Sequence, residues 1–251
     1  MDDTEEFNER NRTFVRRMAG DETLRDLTGE WLNAATRYEY SYHFTWLGRP
    51  IIQFPQDIVA TQEIIWRVRP DLIIETGIAR GGSLIFSASM LELLGGDGLV
   101  VGVDVDIREH NRIEIERHPL SKRIRMIQGS SVDESVIGQV KSYVEGRAEL
   151  PARSRVLVML DSNHTHDHVL SELKLYSPFV TPESYLIVYD TIVEQMPDDM
   201  YPNRPWRRGD NPLTAVKEFL AQNNDFEVDR EVEEKLLITV APGGYLRRIK
   251  R

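Results

Sequence analysis

The sequence predicts an α/β protein with a doubly wound, mostly parallel sheet, and three observations predict it. From residue 71 onward, short runs rich in Val, Ile and Leu alternate with helical patterns. The runs are apolar throughout rather than at every second residue, as strands covered on both faces are. The chain of 251 residues, 41% hydrophobic, suits one large domain with an added helical segment.

Residues 1–45 read as a charged helical segment, with Phe14, Met18, Leu24, Leu27, Trp31 and Leu32 at helical spacing. An aromatic cluster follows (Tyr38, Tyr40, Tyr42, His43, Phe44, Trp46), then Gly48-Arg49-Pro50, and Pro55 precedes a helix near 56–68. Residues 46–251 form the main domain. Its strands are expected at Asp71–Glu75, Leu99–Asp104, Arg123–Gln128, Arg155–Leu160 and Ser184–Asp190. Helices are expected at Gly81–Leu94, near 107–117, at Val132–Glu145 and at 166–176. Pro212 opens a helix to about Gln222, near whose first turn proline is favoured. Phe226–Asp229 and Lys235–Val240 are spaced as an antiparallel hairpin. Five parallel units closed by such a hairpin resemble the class I methyltransferase arrangement.

Composition narrows the function. The formal net charge is −10, so the clustered cations that neutralise nucleic-acid phosphates or anionic membranes are not expected. The absence of cysteine excludes disulfides, thiolate zinc sites, iron–sulfur clusters and a cysteine nucleophile. The acidic start, MDDTEEFNER, is the opposite of a signal peptide, and no apolar run approaches the roughly 18 residues of a spanning helix. A cytoplasmic location is expected.

Ligands on open α/β sheets bind beyond the carboxyl ends of the strands. The first such turn reads Glu75-Thr76-Gly77-Ile78-Ala79-Arg80-Gly81-Gly82-Ser83. Gly77 permits close backbone approach, and Gly81, Gly82 and Ser83 open a helix whose N–H groups suit an anion such as the carboxylate of a methionine moiety. The spacing is not G-x-G-x-x-G. Glu75 fits badly beside a pyrophosphate but can accept from the amino group of a sulfonium cofactor. A tight strand–helix turn that needs glycine accounts for the loop equally well. Asp104 ends the second strand, where a carboxylate can accept ribose hydroxyls, with Asp106 as a competitor. Ser130, after the third strand, is placed to border an adenine.

The fourth and fifth strands end in Asp161-Ser162-Asn163-His164 and Tyr189-Asp190-Thr191. Asp161 and Asp190 are expected to face one crevice and hold a hard divalent cation such as Mg²⁺. His164 is a candidate general base. A transition-metal site using His164, His166 and His168 is the weaker alternative. Residues 191–211 form a long unpatterned segment with Tyr201, Trp206, Arg207 and Arg208, read as a substrate lid. Tyr201, Trp206 and Arg207 are its candidate substrate contacts.

These residues carry a resemblance. From about Thr45 onward the chain resembles the cephalosporin hydroxylase family of class I methyltransferases, and is similar to rhamnosyl O-methyltransferases. The shared motifs are Trp46-Leu47-Gly48-Arg49-Pro50-Ile51-Ile52-Gln53-Phe54-Pro55-Gln56-Asp57, Ile74-Glu75-Thr76-Gly77 with Gly81-Gly82-Ser83, Asp161-Ser162-Asn163-His164, Tyr201-Pro202 with Arg204-Pro205-Trp206, and Gly243-Gly244-Tyr245-Leu246. The resemblance implies S-adenosylmethionine, a divalent metal, a small-molecule oxygen acceptor on a natural product or sugar, and a homo-oligomer. It also implies metal ligands at Asp161 and at a Glu-Asp pair ending the fifth strand. Asp190 matches that aspartate, but Tyr189 stands where the Glu is expected. Three other readings compete: a nicotinamide-dependent oxidoreductase, an iron-dependent oxygenase, and a cofactor-binding protein without catalysis. The missing G-x-G-x-x-G and the terminal hairpin oppose the first, and the α/β pattern opposes the second.

Overall fold

The computed structural model describes residues 2–146 and 154–250. Two helices, α1 (Asp3–Ala19) and α2 (Glu22–Thr36), lead into a small hairpin of β1 (Phe44–Trp46) and β2 (Arg49–Ile51), then α3 (Pro55–Val68). The hairpin lies within the aromatic cluster and the Gly48 turn, where no strand was expected. The main body runs β3 (Leu72–Thr76), α4 (Gly82–Leu94), β4 (Leu99–Asp104), α5 (Glu109–Arg117), β5 (Ile124–Gln128), α6 (Glu134–Glu145), β6 (Val156–Leu160), α7 (His166–Tyr176) and β7 (Tyr185–Val188). It ends with α8 (Pro212–Gln222), β8 (Phe226–Val228), α9 (Arg230–Leu236) and β9 (Tyr245–Arg248).

The sheet has seven strands in the order β5-β4-β3-β6-β7-β9-β8. Strands β3 to β7 pair in parallel, and β9 pairs antiparallel with both β7 and β8. Successive strand side chains point to opposite faces. Ile73 accordingly packs in the layer of α3 and α4, while Leu72 and Ile74 pack in the layer of α6, α7 and α8. Both faces are apolar because both are covered, which explains the unbroken Val, Ile and Leu runs. No helix among the described residues is long and apolar enough to cross a membrane.

One expected strand is wrong. Residues 230–236 are helical, and the last strand is Tyr245–Arg248 rather than Lys235–Val240. Asp229 caps the helix, its carboxylate accepting from the N–H groups of Glu231 and Val232. The apolar run after it has no strand partner. The Val240 N–H is instead bound by the buried carboxylate of Asp57 at 2.9 Å, and the Val240 carbonyl accepts from Ile192. Gly244 then lets the chain enter β9, since a Cβ there would sit 2.1 Å from the Val188 carbonyl oxygen.

Asp57 is therefore a structural anchor. It is fully buried and also accepts from the hydroxyls of Thr239 and Tyr245. Burial pushes its carboxyl up to about 6 against the pull of those three donors. Asp57→Ala leaves three buried donors without an acceptor, so it is expected to cost about 3–5 kcal/mol, as breaking a buried charged network does. Urea denaturation measures this. A loss below about 1 kcal/mol, the worth of one ordinary hydrogen bond, would show that the donors find other partners.

Candidate active site

The carboxyl ends of β3, β6 and β7 lie side by side. Thr76 pairs with Leu160, and Leu160 with Val188, so Asp161 and Tyr189 follow their strands at the same level. Gly77 (φ +89°) makes the first turn possible: a Cβ there would sit 2.0 Å from the Asp161 carbonyl oxygen. These ends open into a cavity of about 740 Å³.

Glu75, Gly77 and Ser83 line the cavity at the carboxyl end of β3. The Ser83 hydroxyl donates to Glu75 Oε1, while Glu75 Oε2 is buried with no hydrogen-bond partner. Burial and the nearby Asp104 push the Glu75 carboxyl up to about 8. A buried carboxylate oxygen without a donor is costly. A cationic amino group is the ligand that would satisfy it, so this end fits the methionine part of a sulfonium cofactor.

Asp104 lies outside the cavity wall. One carboxylate oxygen accepts from the N–H groups of Ile78 (2.8 Å) and Ala79 (3.1 Å), and the other from Asp106 (3.0 Å). It holds the glycine turn in shape, including Ala79 at φ +47°. Gly81 and Ser130 also lie outside the wall. Gly81, at φ +82°, is the residue from which α4 starts.

In the same cavity Asp161, His164 and Asp190 converge. One ligand atom from each lies within 4.8 Å of the others. His164 Nε2 is 3.0 Å from Asp190 Oδ2. The loop carrying His164 is set by Asn163, whose side-chain oxygen accepts from the Thr165 N–H at 2.9 Å. Asp190 is held at φ +55°, a left-handed conformation that costs energy outside glycine. Burial, followed by the charges of Asp190 and Glu75, holds the Asp161 carboxyl well above its usual range. Two partly buried carboxylates in mutual repulsion, with an imidazole beside them, suit a divalent cation that keeps several waters.

Tyr189 does not join this cluster. Its hydroxyl is engaged in the cavity wall, 2.8 Å from Thr61 Oγ1 and 3.8 Å from Met159 Sδ. Burial raises it well above the usual phenol range, so it stays neutral. His166 and His168 diverge from the cluster: His166 contacts Glu218 and Thr214, and His168 contacts Ser131 and Ser162.

The cavity is also lined from residues 39–42 and 199–204 and by Trp206. Trp206 packs edge-on against the His164 ring at 4.6 Å, and the Arg204 guanidinium lies 5.1 Å from the Trp206 ring centre. Tyr201 lines the wall but Arg207 does not; Arg204 takes that place. The base of the segment is fastened by Glu194, which accepts from the Gly209 N–H, and by Asp210, which accepts from the His166 N–H. Tyr42 and Asp57 also line the cavity and were not singled out as site residues from sequence. The aromatic run 38–46 was the signal for Tyr42.

Sheet order and site together define a class I methyltransferase. The chain belongs to the rhamnosyl O-methyltransferase/CmcI family, whose model matches residues 38–249. A rhamnosyl O-methyltransferase of Mycobacterium tuberculosis (strain ATCC 25618 / H37Rv) is 29% identical over 208 residues, covering 81% of this chain and 78% of the relative. That of Mycobacterium leprae (strain TN) is 29% identical over 205 residues, covering 81% and 82%. Among solved structures, a CmcI structure with Mg and SAM superposes with a TM-score of 0.56 at 20% identity over 83% of this chain and 78% of that one. An O-methyltransferase from Bacillus cereus in complex with SAH gives 0.51 at 15% identity over 80% and 81%. The two structural likenesses carry the fold.

Proposed function

We propose that the protein transfers a methyl group from S-adenosylmethionine to a hydroxyl of a small molecule, a sugar or another natural product. The observation that carries this is one cavity lined both by Glu75 and by the Asp161–His164–Asp190 cluster. The rhamnosyl relatives and the CmcI structure with Mg and SAM support it. When bound, the cofactor supplies the methyl group, and a cation such as Mg²⁺ polarises the acceptor oxygen.

Each residue then has a task. Glu75 receives the cofactor's amino group. Gly77, Gly81 and Ser83 shape the turn that carries it. Asp104 accepts from the cofactor's ribose hydroxyls with the lone pairs its backbone donors leave free, and Ser130 borders the adenine where it extends past the cavity. Asp161 and Asp190 hold the cation. Asp190 Oδ2 steadies the His164 ring through Nε2, Trp206 packs against its edge, and Nδ1 takes the acceptor's proton. Tyr201 and Trp206 flank the acceptor, and Arg207 stiffens the lid behind them. The protein works in the cytoplasm as a homo-oligomer.

Incubation with tritiated S-adenosylmethionine, Mg²⁺ and a panel of rhamnosides and other glycosides tests the reaction. Label in the glycoside supports it, whereas binding of NAD in place of S-adenosylmethionine would overturn it. Two further results are expected. A Glu75 carboxyl held up near 8 is largely protonated at pH 7 and must ionise to meet the cofactor's ammonium. Cofactor binding should therefore release a proton, seen as different calorimetric heats in phosphate and Tris, and Glu75→Gln should abolish the difference. Equal heats for the unaltered protein would place the ammonium elsewhere. Protease cleavage within residues 192–211 should slow when SAH and an accepted glycoside are both bound; unchanged cleavage would remove the lid role.

A further inference from the structure

The N-terminal helix α1 has no buried residue along its 17 positions. Its inner side borders a cleft against α3 and α9, lined by Asn8, Asn11, Arg12 and Val15 among others. Its outer side carries Phe7 and Phe14, 53% and 56% exposed. Seven residues apart, they share one face of a helix. Arg10 and Arg17 lie 5.9 and 5.5 Å from the centres of these two rings, one turn further along. The same outer side begins with Asp3 and Glu6. The outer side thus carries two exposed rings, each beneath an arginine, on a helix whose first turn is acidic and whose last turn is basic. That arrangement suits the helix dipole. It also makes the outer side complementary to itself when a second copy runs in the opposite direction.

We propose that α1 is the contact through which two copies of this chain pair, antiparallel, about a twofold axis near Arg10. Phe7 of one copy then packs beside Phe14 of the other, and Asp3 and Glu6 face the other copy's Arg17 end. The symmetry follows from chemistry. A parallel pairing sets acid against acid and base against base at both ends, while a twofold antiparallel interface pairs the ends oppositely and leaves only the two Arg10 side chains, each over its own Phe7 ring, as like charges at the axis. Pairing also covers aromatic surface that an outlying helix leaves in water. The surface lies outside the cavity, so this proposal stands or falls independently of the methyl-transfer reading.

The absence of cysteine makes a direct test possible. Light scattering on the unaltered chain should show a dimer or a multiple of it, and Phe7→Asp with Phe14→Asp should halve the mass. Both side chains are exposed, so the double variant should keep the circular dichroism and melting curve of the parent. Under mild oxidation, Arg10→Cys should form a covalent dimer and Asp3→Cys alone should not. A mixture of Asp3→Cys and Arg17→Cys chains should cross-link. A monomeric parent, an assembly untouched by the double aspartate variant, or equal cross-linking at positions 3 and 10 would each overturn the proposal.

Discussion

Asp161→Asn is expected to remove nearly all turnover while leaving S-adenosylmethionine binding almost unchanged. The carboxylate feels the charges of Glu75 and Asp190, and under the proposed reading it shares a cation with Asp190. A cation polarising an oxygen is worth several kcal/mol, and each ~1.4 kcal/mol is tenfold in rate, so a loss of about 10²-fold or more follows. Stability should move the other way. Desolvation and the neighbouring carboxylates raise the Asp161 pKa in the folded protein. Its contribution to stability is therefore present below the unfolded pKa and lost as pH rises through the folded one. At neutral pH the metal-free protein carries that burden, and asparagine removes it. The variant should melt higher than the parent without metal, and the gap should narrow on adding Mg²⁺. The site should also be weak. Tyr189 faces Thr61 and brings no charge, so two carboxylates and His164 are the ligands at hand. Activity should depend on added metal and vanish in EDTA. Full activity in excess EDTA would remove the cation from the reaction.

The parallel units were legible because each strand is covered on both faces, which leaves an unbroken apolar run flanked by turn residues. Asp161, His164 and Asp190 were legible for a related reason. Strand order puts the ends of β6 and β7 side by side, and function in this architecture sits at those ends. What was hidden depended on contacts far apart in sequence. The run Leu236–Val240 has strand composition, but its backbone partners are Asp57 and Ile192 rather than a neighbouring strand. Asp104 stands at the expected strand end, but no spacing rule reveals that its carboxylate also accepts from the N–H groups of Ile78 and Ala79. Tyr189 is the most instructive case. Sequence shows that a carboxylate is missing, but only packing shows that the phenol is bound to Thr61 and Met159 in the cavity wall rather than joined to the cluster.

His164→Ala is expected to slow methyl transfer by about 10²–10⁴-fold, the usual worth of a positioned acid–base group. The geometry makes the imidazole a fixed group. Nε2 is held at 3.0 Å by Asp190, and the ring edge is packed at 4.6 Å against Trp206. Rotation is thereby restrained on two sides, and Nδ1 is the nitrogen left for the acceptor's proton. If His164 serves as base, the deficit of the alanine variant should shrink as pH rises, because solvent then takes the proton unaided. Trp206→Ala should reproduce part of the loss in kcat, since the ring is freed but not removed, whereas Trp206→Phe keeps an aromatic edge and should lose less. The competing role is that of a third metal ligand, since His164 lies within the same 4.8 Å cluster as both carboxylates. The two roles separate in a metal-binding titration without acceptor. A base can be deleted with the metal affinity intact, whereas deleting a ligand weakens it. A pH-independent deficit in His164→Ala, together with a large loss of Mn²⁺ affinity by electron paramagnetic resonance, would reassign His164 from proton acceptor to metal ligand.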